Sequence, residues 1–476
     1  MEYEMIIGLE VHVRVKSKTK MLCSCKNAVA LAPEPNINIC PICSGFPGML
    51  PQLNEEVVKL GLLGGMMMNC KINKVSRFDR KSYYYPDSPN AFQTTQLFDP
   101  IVGAGSVKTL VNGEEKNFGI HHMHLENDAG KLTHGGGKTL IDFNRAGSPL
   151  MEIVTDPVFT NAEDSVEFLR EIQKLMRASK VSDADMDKGQ MRCDVNLSIK
   201  PVGQEEFGIR TEHKNVNSFG AVSRVIASEY KRQLKIIKAG GVIDQETRGW
   251  DDDSGKSSSL RSKENAMDYR YFPEPDLLPI ILSDDFIEET KKGIVEFPIE
   301  RRIRYLKTHK LQPDDARLLT ADYELSSYFE ELFKLTNDAK KSCSYITTIL
   351  LALIKDSEDE INISNLNFKV SQLAKVINLV NKDELSSTNS KLVIEELFNN
   401  GGNADEIIDS KKLRQKNDLS SLETIVDEVI KNNSKQVEDY RGGNENIFGF
   451  FVGQCMKASR GQGNPKIFNE ILKKKL

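Results

Sequence analysis

Residues 6–15 alternate strictly between apolar and polar side chains. A period of two with β-branched residues predicts a β-strand, because successive side chains of a strand point to opposite faces. The apolar set predicted to pack is Leu9, Val11, Val13 and Val15. The polar set is Glu10, His12 and Arg14. Same-face neighbours lie roughly 6.5 Å apart, so a carboxylate and an imidazole can converge on one cation. This stretch alone leaves open the alternative of an edge strand with a solvated polar face.

The composition is typical of a globular protein of two or three domains: 476 residues, 39% hydrophobic and 28% charged. There is no run of 18 apolar residues, which excludes a transmembrane helix of that kind. The first residues resemble neither a signal peptide nor a transit peptide, so we expect a cytoplasmic protein. The net charge of -5 argues against a uniformly nucleic-acid-binding surface, and contact with a polyanion should be local.

Two close cysteine pairs follow the first predicted strand. Cys23 and Cys25 are separated by 14 residues from Cys40 and Cys43. In a long cytosolic chain, such cysteines indicate metal ligands rather than disulfides. The spacing favours a structural, tetrahedral zinc site. Four unrelated thiols are the alternative.

Two further stretches carry acids where strands are expected. Residues 119–128 alternate and would place His122, His124, Glu126 and Asp128 on one face, where acids favour a hard cation such as magnesium over zinc. A solvated strand end is the alternative there. Glu152 is a lone acid inside the apolar stretch 150–154. A buried carboxylate is costly unless it is paired or bound to a metal, which makes Glu152 the most informative acid.

Basic and amide side chains accompany these acids on other predicted strands. Residues 191–199 and 209–215 alternate cleanly. Their polar faces carry Arg192, Asp194 and Asn196, and Arg210, Glu212 and Lys214. Arg80 and Lys81 stand beside three tyrosines and suit either phosphate binding with base stacking or a surface ion-pair patch. A sheet with such polar faces predicts the floor of a site for a charged ligand and a metal.

A phosphate-binding P-loop is excluded at Gly255-Lys256-Ser257. That motif requires glycine five residues earlier, where Trp250 stands, and the intervening aspartates would repel phosphate. Beyond about residue 293 helical patterns replace strand patterns, and a smaller helical module begins at about residue 404. The last thirty residues are basic. The predicted RNA contacts there are Lys457, Arg460 and Lys466. A solvated terminal helix is the alternative.

Several stretches together resemble one family, the B subunits of tRNA-dependent amidotransferases. The matching segments are IGLEVHV, FDRKSYYYPD, HLENDAGK, DFNRAGSPLMEIVTDP, MRCDVNLSI, RTEHKNVNSF, DYRYFPEPDL and FFVGQCMKASRGQGNP. The resemblance implies an α+β chain in three parts. These are an antiparallel-sheet cradle similar to glutamine synthetase (1–293, with the zinc-binding insertion near 23–43), an all-α helical domain (294–403) and a small α-helical tail that engages tRNA (404–476).

The resemblance also implies a reaction. Such subunits use ATP and magnesium to phosphorylate the side-chain carboxylate of Glu-tRNA(Gln) or Asp-tRNA(Asn), and ammonia then displaces the phosphate. The ammonia comes from glutamine hydrolysis in an A subunit, and a C subunit completes the heterotrimer. The predicted magnesium and catalytic residues are Glu10, His12, Glu126 and Glu152. Candidates for phosphate, ATP or substrate contacts are Arg80, Lys81, Lys131, Arg145, Arg192, Asp194, Asn196 and Lys214.

Two departures and two alternatives qualify this resemblance. Asn127 stands where many relatives have a second acid, so we do not count it as a ligand, and residues 91–96 differ from the usual pattern. The archaeal E subunit is an alternative, but it carries a large inserted domain for which this chain has no room. A zinc-stabilised tRNA-binding scaffold without activity is the other, and the complete acid set argues against it.

Overall fold

The computed structural model describes residues 2–27, 34–262, 268–359, 361–415, 417–459 and 461–476, with the backbone alone at 261 and 262. Two compact units cover residues 1–301 and 302–476. The first has one large apolar core, and the second contains two separate apolar clusters. Among the described residues, no helix has both the length and the apolar character that a membrane span requires.

The first unit is built on a large sheet. The strands are β1 (Tyr3–Arg14), β2 (Val75–Ser76), β3 (Asp79–Ser82), β4 (Phe92–Thr95), β5 (Gly105–Val111), β6 (Glu114–Asn127), β7 (Lys131–Gly135), β8 (Lys138–Asp142), β9 (Pro149–Thr155), β10 (Met191–Pro201), β11 (Thr211–Val216), β12 (Glu246–Asp251), β13 (Lys256–Ser262), β14 (Phe272–Pro273) and β15 (Ile280–Ile281). Eight of these described strands form the main sheet in the order β13-β12-β11-β10-β1-β9-β6-β5. Its pairs are antiparallel except for β11 and β12.

β1 lies inside this sheet, between β10 and β9, so it is not an edge strand. The predicted apolar set is confirmed: each of its four members is at most 1% exposed. One face of β1 is therefore dry core, and the polar residues must share the other face. A slip of one residue would exchange the two faces, so burial of the apolar set fixes the register.

The helices pack on the apolar face or form the second half of the chain. They are α1 (Glu55–Met67), α2 (Ala162–Ala178), α3 (Phe219–Lys238), α4 (Asp284–Lys291), α5 (Pro298–Lys307), α6 (Pro313–Leu319), α7 (Tyr323–Thr336), α8 (Ala339–Tyr345), α9 (Leu351–Asp356), α10 (Val370–Asn381), α11 (Ser387–Asn400), α12 (Ala404–Ser410), α13 (Leu419–Asn432), α14 (Ser434–Arg441), α15 (Phe448–Ala458) and α16 (Pro465–Lys475). A π-helical turn joins α8 to α9, and a short 3₁₀ turn precedes α15. The chain is thus a mixed α/β protein with a large sheet and many helices.

Three glycines let α1 approach the sheet closely. A Cβ atom at Gly61 would lie 2.9 Å from a Leu125 methyl carbon, and one at Gly65 would lie 2.6 Å from Val102 Cγ2. The Gly64 position faces the Met151 sulfur at 3.3 Å. These separations are shorter than ordinary van der Waals contacts. The helix can therefore pack this closely only because glycine has no side chain at these positions.

We expect Gly65→Ala to lower the free energy of unfolding of the first unit by about 1 kcal/mol. Overpacking of a core costs roughly 1–3 kcal/mol, which outweighs a helix-propensity gain of about 1 kcal/mol. The matched control is Gly453→Ala in α15, where a Cβ meets nothing within 4 Å. Alanine should stabilise that helix by roughly 0.5–1 kcal/mol. Chemical denaturation measures the free energy of unfolding of both variants. An equal increase in that free energy for the two variants would contradict the close packing at Gly65.

Candidate active site

Four neighbouring strands place polar residues side by side on the open face of the main sheet. β1 pairs with β10 and β9, so His12 lies opposite Arg192 on one side and Glu152 on the other. β9 pairs with β6, which places His124 opposite Glu152. A row of two imidazoles, one carboxylate and one guanidinium therefore crosses the sheet.

The first cluster is formed by His12, Glu126 and Glu152, whose ligand atoms all lie within 4.8 Å of one another. His12 Nε2 is 3.3 Å from Glu152 Oε2 and 3.9 Å from Glu126 Oε1. His124 Nε2 is 3.5 Å from the same Glu152 oxygen. Three of the four residues predicted to hold magnesium are therefore together, with a second imidazole beside them.

Glu10, the fourth residue of the predicted set, lies in a second cluster. Its ligand atoms and those of Asp194 and Glu212 lie within 4.8 Å of one another. Lys214 Nζ is 2.7 Å from Asp194 Oδ2 and 2.7 Å from Glu212 Oε1. Asn196 Nδ2 donates to Glu10 Oε1 at 2.9 Å. The two clusters follow one another along the polar face of β1.

Burial and neighbouring charges shift the pKa of Glu10 and the pKa of Glu152 in opposite directions. Burial is the largest cause of the raised pKa of Glu10, and the carboxylates of Glu152, Asp194 and Glu212 raise it further. Burial alone would raise the pKa of Glu152, but the two adjacent imidazoles outweigh burial and hold it well below its ordinary value. Excess negative charge of this kind is offset by a bound cation.

The donor chemistry of both clusters fits a hard dication. Carboxylate oxygens dominate, and a single imidazole nitrogen joins the first cluster, which is a set that suits magnesium better than zinc. The Asn196 Oδ1 atom beside Glu10 is buried and has no hydrogen-bond partner among the described residues. An orphaned acceptor next to carboxylates matches a position that a cation or its water ligand would occupy.

A cavity of about 680 Å³ opens over the first cluster and is lined by Lys81 as well. Burial would lower the pKa of Lys81, but Tyr271 and the carboxylates of Glu126 and Glu152 outweigh burial and raise the pKa. Lys81 therefore keeps its positive charge beside the carboxylates. Its Nζ lies 4.8 Å from the centre of the Tyr269 ring, in a cation–π contact.

Arg80 also lines the cavity, but its charge is already paired. Its Nε donates to Glu274 Oε2 at 2.8 Å and its Nη2 to Asp276 Oδ2 at 2.7 Å. The guanidinium lies 4.1 Å from the centre of the Phe92 ring. Arg80 thus joins β3 to the segment that follows β14 and builds the cavity wall.

The other predicted basic residues are placed differently. Arg145 lines the cavity and donates to the carbonyl oxygens of Ala129 and Gly130 at 2.8 and 2.5 Å. Arg192 is exposed at the cavity lining. Lys131 is exposed on β7 and, within the described ranges, is not part of that lining.

Asn127 ties β6 to β4 beside the first cluster. Its Oδ1 accepts from the Thr94 backbone at 2.6 Å, and its carbonyl oxygen accepts from Gln93 Nε2 at 3.1 Å. Gln96 Oε1 accepts from the backbone of Leu125 at 3.0 Å. The unusual run 91–96 therefore has a structural role in holding the strand that carries Glu126.

The four cysteines converge as predicted. Their sulfur atoms lie within 4.8 Å of one another, with Cys43 at 3.8 Å from Cys40 and 4.0 Å from Cys25. A disulfide requires roughly 2.05 Å. A zinc tetrahedron with Zn–S bonds of roughly 2.3 Å has sulfur atoms roughly 3.8 Å apart. The cluster can therefore hold a metal ion such as zinc.

In the second unit, the predicted RNA contacts differ in their surroundings. Lys457 is exposed on α15. Lys466 lies in the first turn of α16, and its Nζ is 2.9 and 3.1 Å from the two carboxylate oxygens of Asp383. The third predicted contact, Arg460, lies outside the described residues.

Two family models match the sequence. The model of the GatB/GatE catalytic domain matches residues 5–288, and that of the GatB domain matches residues 327–476. The chain belongs to the GatB family.

Relatives in this family match over the full length. The chain is 44% identical to a protein of Caldicellulosiruptor bescii, over 100% of the chain and 99% of the relative. It is 42% identical to one of Persephonella marina over 100% of both and 41% identical to one of Clostridium tetani over 99% and 98%. Each relative is named as the B subunit of an aspartyl/glutamyl-tRNA(Asn/Gln) amidotransferase.

The sequence prediction of metal ligands missed two residues. The structure of this GatB-family chain brings both of them to the clusters. His124 shares the polar face of β6 with Glu126, and Glu212 shares that of β11 with Lys214. Alternation within each strand was the signal for both. The pairing of strands, which alternation does not reveal, decides which cluster each residue joins.

We expect the native chain to bind two Mn²⁺ ions, with manganese replacing magnesium as the probe. Glu152→Gln should remove one binding event and Glu212→Gln the other, or weaken each at least tenfold, because each variant loses a carboxylate ligand. The control is Glu163→Gln at the start of α2, away from both clusters. Isothermal titration measures the stoichiometry, and unchanged binding in both cluster variants would refute the assignment.

Proposed function

We propose that this chain is the subunit that amidates Glu-tRNA(Gln), Asp-tRNA(Asn) or both, giving Gln-tRNA(Gln) and Asn-tRNA(Asn). The full-length similarity to proteins named as amidotransferase B subunits supports the substrate class. The observation that carries the proposal is the cavity over the first acid cluster, which Lys81 and Asp194 of the second cluster also line. Such a site suits transfer between two anions, a carboxylate and a triphosphate.

Amidation of a carboxylate requires activation, because oxide is a very poor leaving group. In the proposed reaction a side-chain carboxylate oxygen attacks the γ-phosphorus of ATP, the bond to ADP breaks and an acyl phosphate forms. The nitrogen of ammonia then attacks the acyl carbon, inorganic phosphate leaves and the nitrogen gives up a proton. Phosphoryl transfer of this kind depends on positioning and charge, not on a covalent nucleophile from the protein.

The proposed magnesium ligands fall into two groups. They are His12, Glu126 and Glu152 for one ion, and Glu10, Asp194 and Glu212 for a second. A bound magnesium ion would supply positive charge that offsets the charge developing on the phosphate oxygens. Lys81 and Arg192 line the same cavity and supply further positive charge to phosphate or to the substrate carboxylate. Lys214 keeps the second group of carboxylates in place.

Ammonia would come from a second subunit. The sequence has no glycine-rich Ser-Ser-Lys site of the amidase type, so we assign glutamine hydrolysis to an A subunit and infer a heterotrimer with a C subunit. The presence of two groups of side chains that could each hold a cation disfavours a scaffold without activity. Full coverage of the relatives named as B subunits disfavours the archaeal E subunit with its inserted domain.

We assign the parts of the chain accordingly. Residues 1–293 would be the cradle, similar to glutamine synthetase, with a structural zinc ion holding the loop 23–43. Residues 294–403 would be a helical domain and residues 404–476 a tail that engages tRNA. The two separate apolar clusters of the second unit support two helical parts, although the first cluster includes Ala404 and Ile408 and so extends beyond residue 403.

The central test follows γ-phosphate release from ATP by the chain reconstituted with its A and C partners. Release should require misacylated tRNA, and Glu152→Gln should reduce it at least a hundredfold, because the variant loses a carboxylate that we assign to the metal. Separate assays with Glu-tRNA(Gln) and Asp-tRNA(Asn) identify the substrate. Glu163→Gln serves as the control. Release that Glu152→Gln leaves intact would refute the metal assignment, and release without tRNA dependence would refute the proposed reaction.

For the tail, Lys457→Gln should raise KM for tRNA several-fold, because one phosphate contact is lost. The slope of the logarithm of tRNA affinity against the logarithm of salt concentration should become shallower by about one. The rate at saturating tRNA should not change. Lys188→Gln removes an exposed charge from the first unit and should alter neither quantity. Equal effects of the two variants would argue against a specific contact at the tail.

A further inference from the structure

Lys20 is a buried lysine at the base of the cysteine loop. Its side chain is 0% exposed. Within the described residues, no carboxylate forms an ion pair with it. Its ammonium donates to the carbonyl oxygen of Asn38 at 3.0 Å and lies 3.6 Å from Cys43 Sγ. A buried positive charge is costly unless a negative charge compensates it. The sulfur of Cys43 therefore has to supply the negative charge.

The cysteine cluster supplies the charge when it holds a metal. Ligand thiols are deprotonated, and four thiolates on one Zn²⁺ leave a net charge of minus two. Cys43 also accepts from the backbone of Cys40 at 3.2 Å. Among the described groups that donate to this sulfur, the lysine is the cationic one.

The same contact connects the cysteine cluster to the wall of the cavity. Gly147 adopts φ +83°, and a Cβ there would meet Cys43 Cβ at 3.4 Å and Lys20 Cδ at 3.7 Å. The Gly147 backbone donates to the carbonyl oxygen of Asp128 at 2.9 Å, and its own carbonyl accepts from Met21 at 3.0 Å. The lysine and the cysteine thus pack together under the turn that follows Arg145.

We propose that Lys20 is the fixed counter-cation of the four-cysteine centre, donating to the metal-bound sulfur of Cys43 and offsetting one of the two negative charges. The inference rests on the zinc site proposed above. Lys20 acts here as a positioning residue outside the ligand set. It stabilises the metal-loaded form relative to the metal-free form and reduces electron donation from that sulfur to the metal.

The first test is zinc retention by the full chain. Lys20→Met keeps the length of the side chain and removes its charge, and should weaken zinc binding roughly 10–100-fold in competition with a chromogenic chelator. Lys26→Met, an exposed lysine of the same loop, is the matched control and should retain zinc as the native chain does. Equal retention by both variants would overturn the proposal while leaving the zinc site intact. Absence of zinc-binding capacity in the native chain would overturn both.

A spectroscopic test separates charge from mere packing. In the cobalt-substituted chain, the thiolate-to-cobalt charge-transfer band should move to lower energy in Lys20→Met, because the uncompensated sulfur donates more strongly. Lys20→Arg, which keeps the charge, should return the band towards its native position. A band that does not respond to either substitution would overturn the proposal.

A third test does not depend on metal. In zinc-free protein, Cys43→Asp should be more stable to heat than Cys43→Ser, because the carboxylate pairs with Lys20. In the Lys20→Met background the order should reverse, since the carboxylate is then buried without a partner. The same order in both backgrounds would show that the lysine and position 43 do not interact through charge.

Discussion

Repulsion between carboxylates on one face of the main sheet is the constraint on which the site depends. The opposite face is dry core, so these acids cannot turn away, and burial makes their mutual repulsion stronger than it would be in water. The protein offsets part of it with the imidazoles of the first cluster and with Lys214 in the second. The negative charge that remains would attract a dication, and the dication would in turn attract a phosphate chain.

The same sheet register that buries the core also sets the spacing of the charges. His12 faces Glu152 because β1 and β9 pair as they do, and Glu10 faces Asp194 through the pairing with β10. The apolar residues between them hold this register. Stability and chemistry are therefore not separate properties here, since a shift of one strand would abolish both.

Local pattern was sufficient for part of this arrangement. The alternation around Glu10, the lone acid Glu152 and the spacing of the cysteine pairs each required only a few neighbouring residues. The division into two clusters required strand order, which alternation does not contain. Arg80 illustrates a longer range: its partner Glu274 is 194 residues away along the chain, so no local pattern could reveal that its charge is paired. The burial of Lys20 was equally invisible, because lysine is ordinarily an exposed residue.

The central claim is that the acid clusters are two cation sites serving one phosphoryl transfer. The most direct measurement is anomalous scattering from crystals of the chain, with its partners, grown with Mn²⁺ and a non-hydrolysable ATP analogue. The account predicts two manganese peaks, one among His12, Glu126 and Glu152 and one among Glu10, Asp194 and Glu212, with the γ-phosphate of the analogue in contact with at least one of them. Manganese bound elsewhere, or a triphosphate remote from both clusters, would contradict it.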